Sequence, residues 1–420
     1  MVASTDIKFY VHTNNNAPQL TNNYGCMIDV LDACLVNGFG NQAVSSLTAS
    51  GTTVTATFGS AHNFMQYQVI KIAGAAQSEF NGEHRILTIP DSSSLTFELA
   101  AMPSVTTATG TISASLPPLG WEKPFSSTHS SGVGGKAAYR SLNLLLPSRP
   151  FLRVVDELDP AYNASYAKYA KVGIVEDMTD IDTMFGVQSP YDNVNPNKNW
   201  VGTGSGSTVI NGWAKWYYAR SVAPTGPGND ATAPTTGNRA WVIVANKDWF
   251  YILNSTAVSN TDLLAYGFGA FESALNTDSA NTFLSCAYNY AGASLAFYVG
   301  EGVALTRGAH ATLLLQRKYD MSAVPNTAQA SSVALSYYTE TTTGVNNTVA
   351  SFAGNMPFAP VFIFETGSIF RGQIPNLHWI FQKKPLTHLT PFTKSGQIYL
   401  PINVTSNTQS GQIVMGLGSL

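Results

Sequence analysis

Charge is what this sequence has least of. Lys, Arg, Asp and Glu together make up 11% of its 420 residues, against roughly 25% in an ordinary soluble protein. Asn, Ser, Thr and Gly must therefore supply most of the polar surface, and such a surface is weakly guarded by charge against association. That bias suits a subunit of a permanent assembly, although a secreted β-protein shares it. The net charge is −3 and no basic run is present. Binding to nucleic acid through phosphate neutralisation is not expected.

Cysteine is nearly missing too. Cys26, Cys34 and Cys286 are an odd, sparse set, which argues against a disulfide-stapled secreted domain. On a helix, Cys26 and Cys34 stand about 12 Å apart along the axis, too far to bridge; all three read as small buried hydrophobes. No apolar run approaches the ~18 residues of a membrane span. The opening MVASTDIKFYV lacks a basic segment followed by an apolar core, so the expectation is a protein made in a cytoplasm without an export signal.

Chemical signatures are equally scarce. The seven histidines (His12, His62, His84, His129, His310, His378 and His388) form no HExxH pair, and there is no CxxC, so neither a metal nor a cofactor is expected. A GxSxG nucleophile elbow is absent. The glycines of 202–207 and 131–136 lack the lysine spacing and strand-to-helix setting of a phosphate loop. The sequence thus predicts a non-enzymatic protein.

What is present is one amphipathic helix in a chain otherwise made of strands and turns. Within Asn23 to Gly40, Met27, Val30, Leu31, Cys34 and Leu35 fall at steps of three and four, lining one helical face, and Gly38 suits the positive φ of a C-terminus. A short strand over Ile7–Val11 precedes it. From Val44 to Leu116 the texture changes to short alternating runs at roughly 10–15-residue spacing, which predicts a compact β-module of about five or six strands. The runs from Arg239 onward are the most hydrophobic, with Asn246-Lys247-Asp248 as a hairpin turn. Loops are expected over Ser126–Gly135, Asn193–Ser207 and Ser221–Asn238. The expected class is mainly β: a β-sandwich-like main body (residues 1–43 and 117–420) with one principal N-terminal helix and an inserted small β-module (residues 44–116).

Three groups are candidate sites. Trp213, Trp216, Tyr217 and Tyr218 are candidate glycan or interface contacts, as aromatic rings stack on sugars, although such rings in strands are more often core. Glu176, Asp177, Asp180 and Asp182 are the densest acids; a carboxylate pair can share a cation or flank a glycosidic bond, while i and i+2 in a strand share a face merely by its period. Arg371, in an Arg-Gly-x-x-Pro turn, is a candidate subunit contact, with plain solvent exposure as the alternative.

Several segments, taken together, resemble a family of tailed-bacteriophage virion structural proteins of the tail or baseplate. They are Met27 to Gly40, Leu119-Gly120-Trp121-Glu122-Lys123-Pro124-Phe125, Tyr139-Arg140-Ser141, Phe151-Leu152-Arg153-Val154, Met178 to Thr183, Tyr266-Gly267-Phe268-Gly269, and Arg371-Gly372 with Pro375, in that order along the chain. The 44–116 stretch is similar to small β-domains of phage tail proteins around Ala61-His62-Asn63-Phe64 and Phe80-Asn81-Gly82-Glu83. The Ser126–Gly135 loop and the 193–238 region are longer than the family pattern. The resemblance implies a particle component located in the virion, with other virion proteins and copies of itself as partners, no nucleic acid partner and no membrane span. A receptor- or glycan-binding protein of the particle, or a collar or head decoration protein, is the alternative.

Overall fold

The computed structural model describes residues 2–205, 209–210, 212–221, 230–288, 303–307, 312–323, 327–331, 358–366, 368–380, 384–406 and 409–420. The expected strands over 294–299 and 334–338 lie outside them. Half of the chain is strand, arranged in three sheets whose strand pairs are antiparallel. The mainly β class expected from the sequence is the observed one.

The longest sheet has 13 strands. It begins with Lys8–Val11, which pairs with Trp241–Ala245, and continues through the Trp249–Asn254 hairpin partner towards the C-terminal strands. Its first strands are buried on both faces. Trp241, Ile243 and Ala245 point into one apolar cluster, and Val242 and Val244 into another. Burial on both sides is why these strands read as unbroken hydrophobic runs rather than as alternation. The hairpin turns where expected: Asn246 Oδ1 accepts from the N–H groups of Asp248 and Trp249 at 2.8 and 3.1 Å.

A second, seven-stranded sheet runs from Trp121–Thr128 at one edge through Gly135–Ser141, Phe151–Asp156, Lys168–Met178 and Ala214–Ala219 to Ala287–Tyr288, with Met184–Ser189 paired beside it. Its inner face shares an apolar cluster with the long sheet, Leu152, Val154, Val172 and Trp216 meeting Phe250, Ile252 and Phe268. The expected Ser126–Gly135 loop is shorter, because Ser126–Thr128 and Gly135 still pair across the hairpin.

The third sheet takes its seven strands from the segment between Phe39 and Leu116. Its first strand, Phe39–Ser50, begins before the expected Val44. That strand pairs with Gly110–Leu116 through Phe39, Gln42 and Ala43 and with Thr53–Phe58 from Val44 onward. One long strand thus serves both halves of the sheet.

The helix comprises Cys26–Leu31 and continues in π-helical form over Asp32–Asn37. Met27, Val30, Leu31, Cys34 and Leu35 are all buried in the shared core, as the sequence spacing requires. Gly38 has φ 71°, and a Cβ there would lie 2.7 Å from the Leu116 carbonyl oxygen. Nothing local caps the N-terminus. Instead Asp156 Oδ2, from the Phe151–Asp156 strand, accepts the Met27 N–H at 3.0 Å, and Tyr218 donates to its other oxygen at 2.6 Å.

Candidate interface and candidate cleft

The aromatic candidates lie inside the protein. Trp213, Trp216, Tyr217 and Tyr218 are all buried, on or beside the Ala214–Ala219 strand. Trp216 Nε1 donates to the Ser285 carbonyl at 2.9 Å, and Tyr217 donates to Asp230 at 2.6 Å. Lys198 sits 4.7 Å from the centre of the Trp213 ring. A sugar stacks on an exposed ring face, and none of these four residues offers one in this fold. The reason is the second sheet's position: the Ala214–Ala219 strand is covered by the long sheet, with Trp216 stacked on Tyr266.

Arg371 is not solvent-exposed in this chain. It is buried and its guanidinium meets both oxygens of Asp278, with Nη2 to Oδ1 at 3.0 Å. It also ion-pairs with Glu365 at 2.8 Å and donates to Ser273 at 3.1 Å. All of these partners are in its own chain.

The acidic candidates are likewise held by neighbours. Asp180 accepts from the N–H groups of Asp182 and Thr183 and from the Thr183 hydroxyl, which keeps its carboxyl below the usual range, the hydroxyl contributing most. Asp182 receives Lys136 at 2.8 Å and Arg153 at 2.6 Å. Burial opposes its ionisation, but these cations hold its carboxyl low. Glu176 pairs with Arg317 at 2.7 Å. A general acid needs a raised pKa, and Asp180 and Asp182 are shifted the other way. Among the described residues no group of three or more His, Cys, Asp or Glu is placed to hold a metal ion. None of the described helices is long and apolar enough to cross a membrane.

Two surface features escaped the sequence reading. The first is the turn after the Gly135–Ser141 strand, where Leu142, Leu144 and Leu145 are 52%, 78% and 88% exposed. Three leucines in sunlight-like exposure are unusual on a charge-poor surface, yet this turn is firmly built. Leu142 N–H donates to the Gly120 carbonyl at 3.0 Å, and Asn143 Oδ1 accepts the Leu145 N–H at 3.2 Å. Asn143 also donates to Asp248 at 2.7 Å. Arg149 closes the turn by donating to the Ser141 carbonyl, Nε at 2.8 Å, and Glu122 gathers Arg149 and Arg140 at 3.1 and 2.8 Å. The run Leu144-Leu145-Leu146-Pro147 between two strands is the signal that points to it.

The second feature is a cleft of about 630 Å³ between the helix and the Trp121–Thr128 hairpin. Asp29 and Asp32, one helical turn apart, line one side, with Lys123 and Ser126 of the Trp121–Thr128 strand also bordering the space. Asp32 accepts from Lys123 at 2.5 Å and from the Tyr139 hydroxyl at 2.7 Å. The Asp29 carboxyl is raised above its usual range, first by burial and then by the charge of Asp32, with Lys123 opposing.

No family model matches this chain, and no curated protein matches it. Among solved structures it is similar to a phage phi92 endosialidase, at 8% identity over 90% of this chain and 52% of that one, with a TM-score of 0.16. The chain therefore spans about half the length of that protein, and a TM-score so low carries no argument about fold or activity.

Proposed function

We propose that this chain is a non-enzymatic structural component of a bacteriophage particle, belonging to the tail or baseplate and acting through subunit assembly. The observation that carries this reading is the leucine turn. A hydrogen-bonded, ion-paired turn that presents Leu142, Leu144 and Leu145 to solvent is an apolar contact already in its bound shape. Exposed apolar groups of this kind mark protein contacts, and a contact that is ordered beforehand loses little conformational entropy on association. Burying these side chains is worth about 1.5–3 kcal/mol for each fully covered leucine. Low charge density and the ordered resemblance to phage virion proteins support the same conclusion. In this reading residues 44–116 are an inserted unit. Its support is that the strands between Phe39 and Leu116 pair with one another in a sheet of their own.

Sedimentation velocity over a range of concentrations tests the contact. The wild-type chain is expected to self-associate, and a Leu144→Ser/Leu145→Ser variant to remain monomeric at the same concentrations. A wild-type chain that stays monomeric throughout, or a variant that associates equally well, contradicts the turn as a self-contact.

A further inference from the structure

We propose that the cleft between the helix and the Trp121–Thr128 hairpin is a saccharide-binding site, a role independent of the assembly contact above. Its volume of about 630 Å³ lies within the range of ligand sites, roughly 300–1,000 Å³. The walls select the class of ligand. Asp29, Asp32, Lys123, Ser126 and Thr128 all border the space, so its walls carry both donors and acceptors and an apolar ligand would strand them unpaired.

Charge narrows the choice further. The two lysines bordering the cleft are already met, Lys123 by Asp32 at 2.5 Å and Lys136 by Asp182 at 2.8 Å. A phosphate or other anion would face two carboxylates with no lysine left over. A neutral polyhydroxyl ligand suits every wall. Vicinal hydroxyls donate to Asp29 and to the remaining lone pairs of Asp32, while the hydroxyls of Ser126 and Thr128 donate to ring and hydroxyl oxygens. Gly134 packs closely against Tyr24 and the Asp156 carbonyl at the far end of the hairpin.

An array of immobilised microbial-surface oligosaccharides, probed with the full chain, tests the assignment. Hits are then compared with Asp29→Ala, which leaves the Asp32–Lys123 pair in place, and with Ser126→Trp, whose side chain shares the helix-facing side of the sheet with Ala137 and fills the space. The expected result is binding above unglycosylated controls, weakened at least tenfold in both variants while their melting temperatures stay at the wild-type value. Absence of any glycan signal overturns the proposal. So does equal binding by wild type and both folded variants, which places the glycan elsewhere. Binding of an oligolysine peptide in place of glycans, abolished by salt and by Asp29→Ala, overturns it too, because it makes the cleft a contact for a basic partner.

Discussion

Arg85 donates to the carbonyl oxygen of Leu417 at 2.9 Å, across 332 residues of chain. The same buried guanidinium reaches the carbonyls of Ser4, Ile7 and Tyr67 at 2.6, 2.8 and 2.8 Å. No carboxylate neutralises it in these contacts, and burial pulls it down to about 10. One side chain from the Gly82–Arg85 strand thus ties the third sheet to the segment leading into the Lys8–Val11 strand and to the Gln409–Ser419 strand of the long sheet. A reciprocal amide pair between Asn14 and Gln68, at 3.0 and 2.9 Å, adds a second buried tie.

Replacing this clamp has a defined cost. Arg85→Met keeps the stem but strips four carbonyls of a charged donor, and is expected to lower stability by about 3–4 kcal/mol. Arg85→Lys, a point charge without the fork, should recover only part of that. Urea denaturation reads the difference, and limited proteolysis should cut the Arg85→Met chain first at the borders of residues 39–116. Unchanged stability would show that the four contacts are incidental.

The helix cap carries a pH signature. Burial lifts the Asp156 carboxyl to about 6 from an ordinary 3.8, although Tyr218 and the helix N–H groups favour its charged form. Between about pH 4 and pH 6 the folded chain therefore holds a proton that the unfolded chain has released. This group's contribution to stability falls as pH rises through that window and is level above it, a change of about 3 kcal/mol in all. Asp156→Asn cannot titrate. The stability of the variant relative to wild type should rise from pH 4 to pH 6 and then stay constant; a difference independent of pH contradicts the assignment.

Arg371 offers a test of the buried ion network. Arg371→Met leaves Asp278 and Glu365 facing each other in the interior, and should cost about 3–5 kcal/mol. Adding Asp278→Asn and Glu365→Gln to that variant removes the uncompensated charges and should recover more than half of the loss. Denaturant midpoints of the three chains decide it. A triple variant no more stable than the single one would mean that Arg371 acts through packing alone.

Local patterns were legible in the sequence, while long-range partnerships were not. The buried face of the helix follows from the spacing of Met27, Val30, Leu31, Cys34 and Leu35, and all five are buried. Its cap was invisible, because Asp156 lies 129 residues further on. Trp213–Tyr218 reads from its aromatics as a strand or a short helix, the strand being the observed form, and no period tells whether a covering sheet lies over its outer face. Arg371 looks like a surface charge for the same reason: its partner Asp278 comes from a distant part of the chain. The leucine turn was legible in composition and missed, since apolar residues in a β-rich sequence are expected to be core. The cleft joins residues from the helix and a distant hairpin, so neither segment announces it alone.

The most direct test of the central claim is quantitative mass spectrometry of purified phage particles made with the wild-type chain and with the Leu144→Ser/Leu145→Ser variant. The account predicts the wild-type chain at a fixed copy number per particle, and a variant that is made and folded but depleted from particles. Particles that lack the wild-type chain would contradict it.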